Sequence, residues 1–306
     1  VNQLANALNQ YILYGDNSSY RKELTDKELV YMNISELTGN INEAIKYAAE
    51  IHYSGTLPFE TVYQILSNSL PLVAGEKPSK SPVVREMKEY KENTIFFIPS
   101  NDAQQSQIYF YIPMGDYQKE LNVKRDAFNQ YMSGGFSGLI MNEIREKNSM
   151  AYTAYGYVVS QELPGSKSYF TGYVGTQNDK AVDAVKLYMN LLTNMPVDAD
   201  RIENIKSYLR QSVLTNQPDA RSLSEQIASW KRRGYTDDPA KENLPKIDQL
   251  TFQDLMDFYH TQLKGKPVVI GIVGNPKDID TKQLEQFGKV VKLSEKKLFN
   301  ERDVLF

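Results

Sequence analysis

The chain repeats itself once, and that fact constrains its fold more than any other. Leu4, Leu8, Tyr11 and Gly15 recur as Leu223, Ile227, Trp230 and Gly234. Further along, Ile51, Tyr53 and Gly55 recur as Ile270, Ile272 and Gly274. Both segments keep one offset of 219 (223 − 4 and 274 − 55). Each copy reads as an amphipathic helix ending at a glycine, a polar stretch, a second helix (34–47 and 252–263), a short apolar strand closed by glycine, and a last helix. In the second copy that last helix, around Leu284 and Phe287, leads to a strand over 289–293. Two ordinary helix-helix-strand units aligned by accident would share the outline, whereas the unbroken offset and the matched glycines favour a duplication.

The polar run Gly75-Glu-Lys-Pro-Ser-Lys-Ser-Pro82 reads as the linker between the copies. With the second copy starting near Pro82, the matching start of the first falls about 140 residues before Val1 (82 − 219 = −137). Residues 1–77 are therefore expected to be the C-terminal part of an incomplete domain, and 78–306 a complete one. The opening Val-Asn-Gln-Leu-Ala-Asn is neither a basic leader nor a Met start, so the chain is expected to be processed or a piece.

From Thr94, Thr-Ile-Phe-Phe-Ile-Pro and Gln107-Ile-Tyr-Phe-Tyr-Ile-Pro113 read as strands around a polar turn. A helix over about 120–132 is followed by Ser133-Gly134-Gly135 and a second helix with Phe136, Leu139, Ile140 and Ile144 on one face. Two tyrosine-rich strands, 151–160 and 168–175, form a hairpin around Glu-Leu-Pro-Gly-Ser. Val182, Val185, Met189 and Leu192 mark one further helix, and Ile202, Ile205 and Leu209 another. Strands and helices in blocks predict an α+β fold, a mainly antiparallel sheet with helices packed on one side, rather than a doubly wound parallel sheet.

Composition removes several chemistries. No cysteine is present, so a disulfide framework, a thiolate metal site, a Cys nucleophile and an iron-sulfur cluster are out. The only histidines, His52 and His260, are far apart and read as structural residues, His52 on the strand that closes the first copy and His260 near a helix end. A formal charge of 35 − 38 = −3 and no basic block give no footprint for nucleic acid. Lys231-Arg-Arg233 is a solvated helix end. No apolar stretch approaches the roughly 18 residues of a membrane span, so membrane insertion is not expected. The compartment stays open between cytoplasm and periplasm. Nothing marks a phosphate-cradling loop or a nucleophile elbow. The 21 tyrosines suit either wet-faced strands lining a cleft or a polar-tolerant sheet.

The segment Gly134-Gly-Phe-Ser-Gly-Leu-Ile-Met-Asn-Glu-Ile-Arg-Glu-Lys-Asn-Ser-Met-Ala-Tyr152 places Arg145 at the end of a helix and Tyr152 at the start of a strand. A guanidinium and a phenol aimed at one point can grip a backbone carbonyl and stabilise the oxyanion formed when water attacks it. The same spacing also suits a helix C-terminal cation and one strand tyrosine among many.

This run resembles the hallmark of the non-catalytic half of the M16 zinc peptidases, the family of pitrilysin, insulinase and the mitochondrial processing peptidases. The order of elements and a repeat near 220 residues agree with it, over 83–306, and residues 1–77 resemble the tail of the preceding homologous domain. The resemblance implies two lobes that close around an unfolded or peptide substrate. The first lobe carries zinc on an inverted His-x-x-Glu-His motif, and the second supplies an Arg and a Tyr seven residues later. Arg145 and Tyr152 match that pair in type and spacing (152 − 145 = 7). The implied role is contact with the scissile carbonyl, auxiliary to the zinc lobe.

The chain itself has no His-x-x-Glu-His, so it is expected to hold no cofactor or metal and to be inert alone, with zinc in a partner lobe upstream in the same polypeptide or on a separate subunit. Ser149-Met150 stands where the family more usually has glycine and leucine. The Gly134-Gly135 turn is short and reads as a helix-start device rather than an expanded glycine-rich loop. A peptide is expected to add as a strand to an exposed sheet edge. The alternative is a structural or interaction module of the same fold that cleaves nothing.

Overall fold

The computed structural model describes residues 2–44, 46–47, 49–70 and 85–299; the linker at 75–82 and the expected boundary at 77/78 lie outside the described residues. A six-stranded sheet runs in the order β3-β4-β2-β5-β1-β6. Its strands are β1 (Thr94–Pro99), β2 (Gln105–Asp116), β3 (Thr153–Val159), β4 (Lys167–Gln177), β5 (Val269–Gly274) and β6 (Lys289–Lys292). The three pairings from β3 through to β5 are antiparallel, and β1 lies parallel to both β5 and β6. The fold is α+β.

Helices α1 (Asn2–Tyr14), α2 (Ile34–Ala44) and α3 (Phe59–Ser69) precede the sheet. Inserted in it or following it are α4 (Asn122–Ser133), α5 (Ala181–Thr193), α6 (Ile202–Thr215), α7 (Leu223–Arg232), α8 (Pro239–Gln249) and α9 (Phe252–Gln262). A short last helix, α10, spans Glu295–Leu298.

One face of the sheet carries the main core. Ile95, Phe97, Ile108, Phe110, Phe170, Ile270 and Ile272 meet Phe128 and Tyr131 of α4, Tyr188 of α5, and Leu255 and Phe258 of α9. The buried apolar positions of α4 (Val123, Ala127, Phe128, Tyr131, Met132) fall on one helical stripe, which is why the segment is a helix there. The side chain of Phe136 lies outside the described set.

The expected one-sided helix layer is supplemented on the second face. Ala5, Leu8, Tyr11 and Ile12 of α1, with Leu298 of α10, cover Phe96, Ile98, Tyr111, Val269 and Val273. Burial on both faces explains why β1 and β5 read as unbroken apolar runs instead of alternating ones.

Some of the positions matched in the sequence share local structure. Gly15 after α1 and Gly234 after α7 both take left-handed backbone, at φ +57° and +88°, a conformation glycine adopts without a Cβ clash. α2 and α9 also correspond at the same offset (34 + 219 = 253). The strand expected at 51–55 does not form: residues 49–54 are neither helix nor strand, and no described strand lies beside them. A strand exists through its ladder partners, and β5 has two where 51–55 has none among the described residues.

Segments far apart in sequence pack together here. α1 lies on β5. The segment at 49–54 lies against α7, with His52 Nδ1 2.7 Å from Ser224 Oγ and Ser54 Oγ donating to the Ala220 carbonyl at 2.9 Å.

Candidate functional site

The helix that carries the motif does not run as a plain α-helix. After a short α turn at Leu139–Met141, residues Asn142–Lys147 form a π turn, a rare wide turn that recurs at functional sites. Arg145 sits within it. The turn closes with two nested bonds, Ser149 N–H to the Arg145 carbonyl and Met150 N–H to the Ile144 carbonyl, both 2.9 Å. Asn148 Nδ2 donates to the Glu143 carbonyl at 2.7 Å. The chain then reverses through Ser149, at φ +50°, a left-handed conformation costly for any residue with a Cβ. Thr176 of β4 pins the exit by donating to the Met150 carbonyl.

Two residues later Tyr152 stands 78% exposed at the mouth of β3. The Arg145 guanidinium lies 5.0 Å from its ring centroid, within cation-π range. Arg145 Nε also stands 3.4 Å from Glu146 Oε1, a half-exposed pair that counts for little in binding energy. The two side chains singled out in the sequence therefore lie together, one from a π turn and the other just beyond a left-handed turn. Ser149 adopts the backbone that a glycine would favour, so the departure at this position leaves the turn intact.

The histidines are elsewhere. His52 lies in irregular chain between Ser224 and Glu50, whose carboxylate is 3.6 Å from Nε2, and so is not on a strand. His260 is exposed near the end of α9, 5.1 Å from the Tyr259 ring. Among the described residues no group of three or more His, Cys, Asp or Glu could hold a metal ion, and the donors present do not fit a zinc site. No described helix is long and apolar enough to cross a membrane.

Two further features were not read from sequence. Tyr155, Tyr173 and Tyr109 are register partners across β3, β4 and β2 on the face away from the main core, with neighbouring ring centroids 5.3 and 5.2 Å apart. The alternation of tyrosines at 155 and 157, 169 and 173, and 109 and 111 was the available signal. The outer edge of β3, one of the two edges of the sheet, is not open at its centre. Gly156 N–H donates to Ser133 Oγ (2.7 Å), which donates to the Gly156 carbonyl (2.9 Å). Val158 N–H donates to Asn129 Oδ1 (2.7 Å), and Asn129 Nδ2 donates to the Val158 carbonyl (3.0 Å).

With this fold and site in place, comparison with known proteins fixes the class: the family described as "Peptidase M16 inactive domain" matches residues 37–209, more than half of the chain, and the chain belongs to it. A curated relative, "Non-peptidase homolog YmxG" of Helicobacter pylori (strain ATCC 700392 / 26695), is 21% identical over 232 residues, covering 73% of this chain and 51% of its own length. The chain thus spans about half of that relative. The structure of a peptidase M16 inactive domain from Pseudomonas fluorescens superposes with a TM-score of 0.65 at 16% identity, over 91% of this chain and 66% of that one. The periplasmic protease PqqL of Escherichia coli superposes at 0.51 with 15% identity, over 72% of this chain but 24% of that one. There the same fold is one part of a much longer protein.

Proposed function

We propose that this chain is the zinc-free, substrate-holding lobe of a two-lobed M16 metallopeptidase. It binds unfolded peptide and directs Arg145 and Tyr152 at the scissile carbonyl. The observation that carries this reading is the convergence of the two side chains from two uncommon backbone devices, the π turn and the left-handed Ser149. Such features cost energy and persist where surrounding structure holds them for a purpose. Arg145 supplies a fixed positive charge and N–H donors, and Tyr152 an O–H donor. Both can bond a carbonyl oxygen more strongly once it becomes an oxyanion, which favours the transition state over the ground state. The metal that activates water belongs to the partner lobe, either upstream in the same polypeptide or a separate subunit, and the chain alone is inert.

The test is hydrolysis of a quenched unstructured peptide by this chain, by the zinc-bearing partner, and by the two together. Turnover is expected only in the mixture. Arg145→Ala and Tyr152→Phe should each lower kcat by roughly a hundredfold, the order found for one oxyanion donor. Unchanged turnover in both variants removes the role given to them.

A second reading is favoured by the name of the Helicobacter relative, a non-peptidase homolog: a binding or assembly module that cleaves nothing. Peptide binding without turnover in any pairing supports that reading.

A further inference from the structure

A carbonyl held between Arg145 and Tyr152 leaves the course of the remaining peptide to be decided. Strand addition needs a free row of N–H and C=O groups. On β3 the groups of Gly156 and Val158 are already bonded to Ser133 and Asn129 of α4. These two residues are four apart on a helix, about 6 Å along its axis, close to the roughly 6.7 Å between alternate residues of a strand. A hydroxyl and a carboxamide can each both donate and accept, so the pair reproduces the hydrogen bonding of a neighbouring strand without being one.

The adjoining sheet face offers a different surface. Tyr155, three residues past Tyr152, begins the row that continues through Tyr173 to Tyr109, and Tyr157, 39% exposed, stacks 5.7 Å from Tyr155. Burial, helped by neighbouring phenols for Tyr155 and Tyr109, pushes all three phenols of the row above their ordinary value. The row is therefore a band of uncharged rings with hydroxyl edges, suited to stacking and apolar contact.

We infer that Asn129 and Ser133 close the β3 edge against strand addition, and that an extended polypeptide meeting Arg145 and Tyr152 is held by its side chains on the Tyr155–Tyr173–Tyr109 row. This rests on the peptide-holding reading above and narrows its substrate class to unfolded segments bearing aromatic, proline or other apolar residues. Main-chain complementarity contributes little.

The probe is a fluorescein-labelled unstructured peptide containing tyrosine and proline, and the same peptide N-methylated at alternate residues, which blocks strand pairing but not stacking. Each is titrated into the chain. N-methylation is expected to change affinity by less than about twofold. Tyr155→Ala/Tyr173→Ala should weaken binding on the order of tenfold, and Tyr155→Phe/Tyr173→Phe, which keeps the rings, should restore it. A large loss on N-methylation with no loss in the tyrosine variants overturns the inference, as does absence of binding. Asn129→Ala/Ser133→Ala should gain affinity for a Thr-rich peptide, without aromatic, proline or apolar residues, that the native chain ignores, and no gain overturns the closed edge. Arg145→Ala in the same titration reads the underlying site separately. Unchanged affinity there, with loss in the tyrosine pair, supports the row while removing the binding role of Arg145.

Discussion

Gly271 of β5 lies directly beneath Ile12 of α1, 259 residues away in sequence (271 − 12): a Cβ at Gly271 would stand 2.6 Å from Ile12 Cδ1 and 3.2 Å from Leu8 Cδ2. The absence of a side chain at one point of the sheet is what lets α1 lie flat on β5. Gly271→Val should cost about 2 kcal/mol by overpacking, read as a shift of the urea midpoint. In an Ile12→Ala background the same substitution should cost less than it does alone.

Ser149 carries left-handed backbone strain at φ +50°. Ser149→Gly should therefore leave the unfolding midpoint unchanged or raise it, by up to about 1 kcal/mol, and Ser149→Val should lower stability by about 1–2 kcal/mol. Thermal unfolding of the two variants, compared with the native chain, checks both signs.

Tyr188 is wholly buried, stacked on Phe110 at 3.9 Å, and donates to the Tyr155 carbonyl at 2.9 Å. Its hydroxyl occupies the space left by Gly156 and Gly172, which face each other across β3 and β4. Gly172→Ala should destabilise by roughly 2 kcal/mol. Adding Tyr188→Phe, which alone costs about 1 kcal/mol for the lost hydrogen bond, should recover part of that loss. Denaturant unfolding of the three variants measures it.

Asp254 opens α9. Partial burial pushes its carboxyl up, but the Thr251 hydroxyl (2.6 Å), Lys124 Nζ (2.9 Å) and the Thr251 N–H (3.0 Å) more than offset that, and its pKa falls to about 2. A folded-state value below the unfolded value of about 3.9 means that the stabilisation is full above about pH 4 and disappears as pH falls toward 2. Asp254→Asn should thus cost about 1–2 kcal/mol at pH 7, after allowance for solvent screening, and almost nothing at pH 2. Unfolding free energies of both proteins at the two pH values test it.

What could be read from the sequence follows the range of the forces involved. Strand alternation is local, so β2, β3 and β4 lie where the tyrosine and β-branched patterns put them, with ends displaced by one to three residues. Amphipathic spacing likewise located α4, α5 and α6. The destination of α1 was not legible, because Leu8 and Ile12 fit any apolar surface and only tertiary packing selects Gly271. Ile51–Gly55 carried the pattern of β5 without its partners, and a pattern alone makes no ladder. At the site, the residues Arg145 and Tyr152 could be named, but the π turn, the sign of φ at Ser149 and the bonds from Asn129 and Ser133 could not. Those depend on hydrogen bonds that no periodicity encodes.

The packing of α1 on the sheet has a practical meaning for anyone who would divide this protein. α1 lies far ahead of β1 in sequence and still forms one layer of the folded sheet. Residues 85–299 taken alone would present Phe96, Ile98, Tyr111, Val269 and Val273 to water on a face now roofed by α1. The transplantable piece is discontinuous, and whoever grafts the sheet into another protein must carry Asn2–Tyr14 along with it.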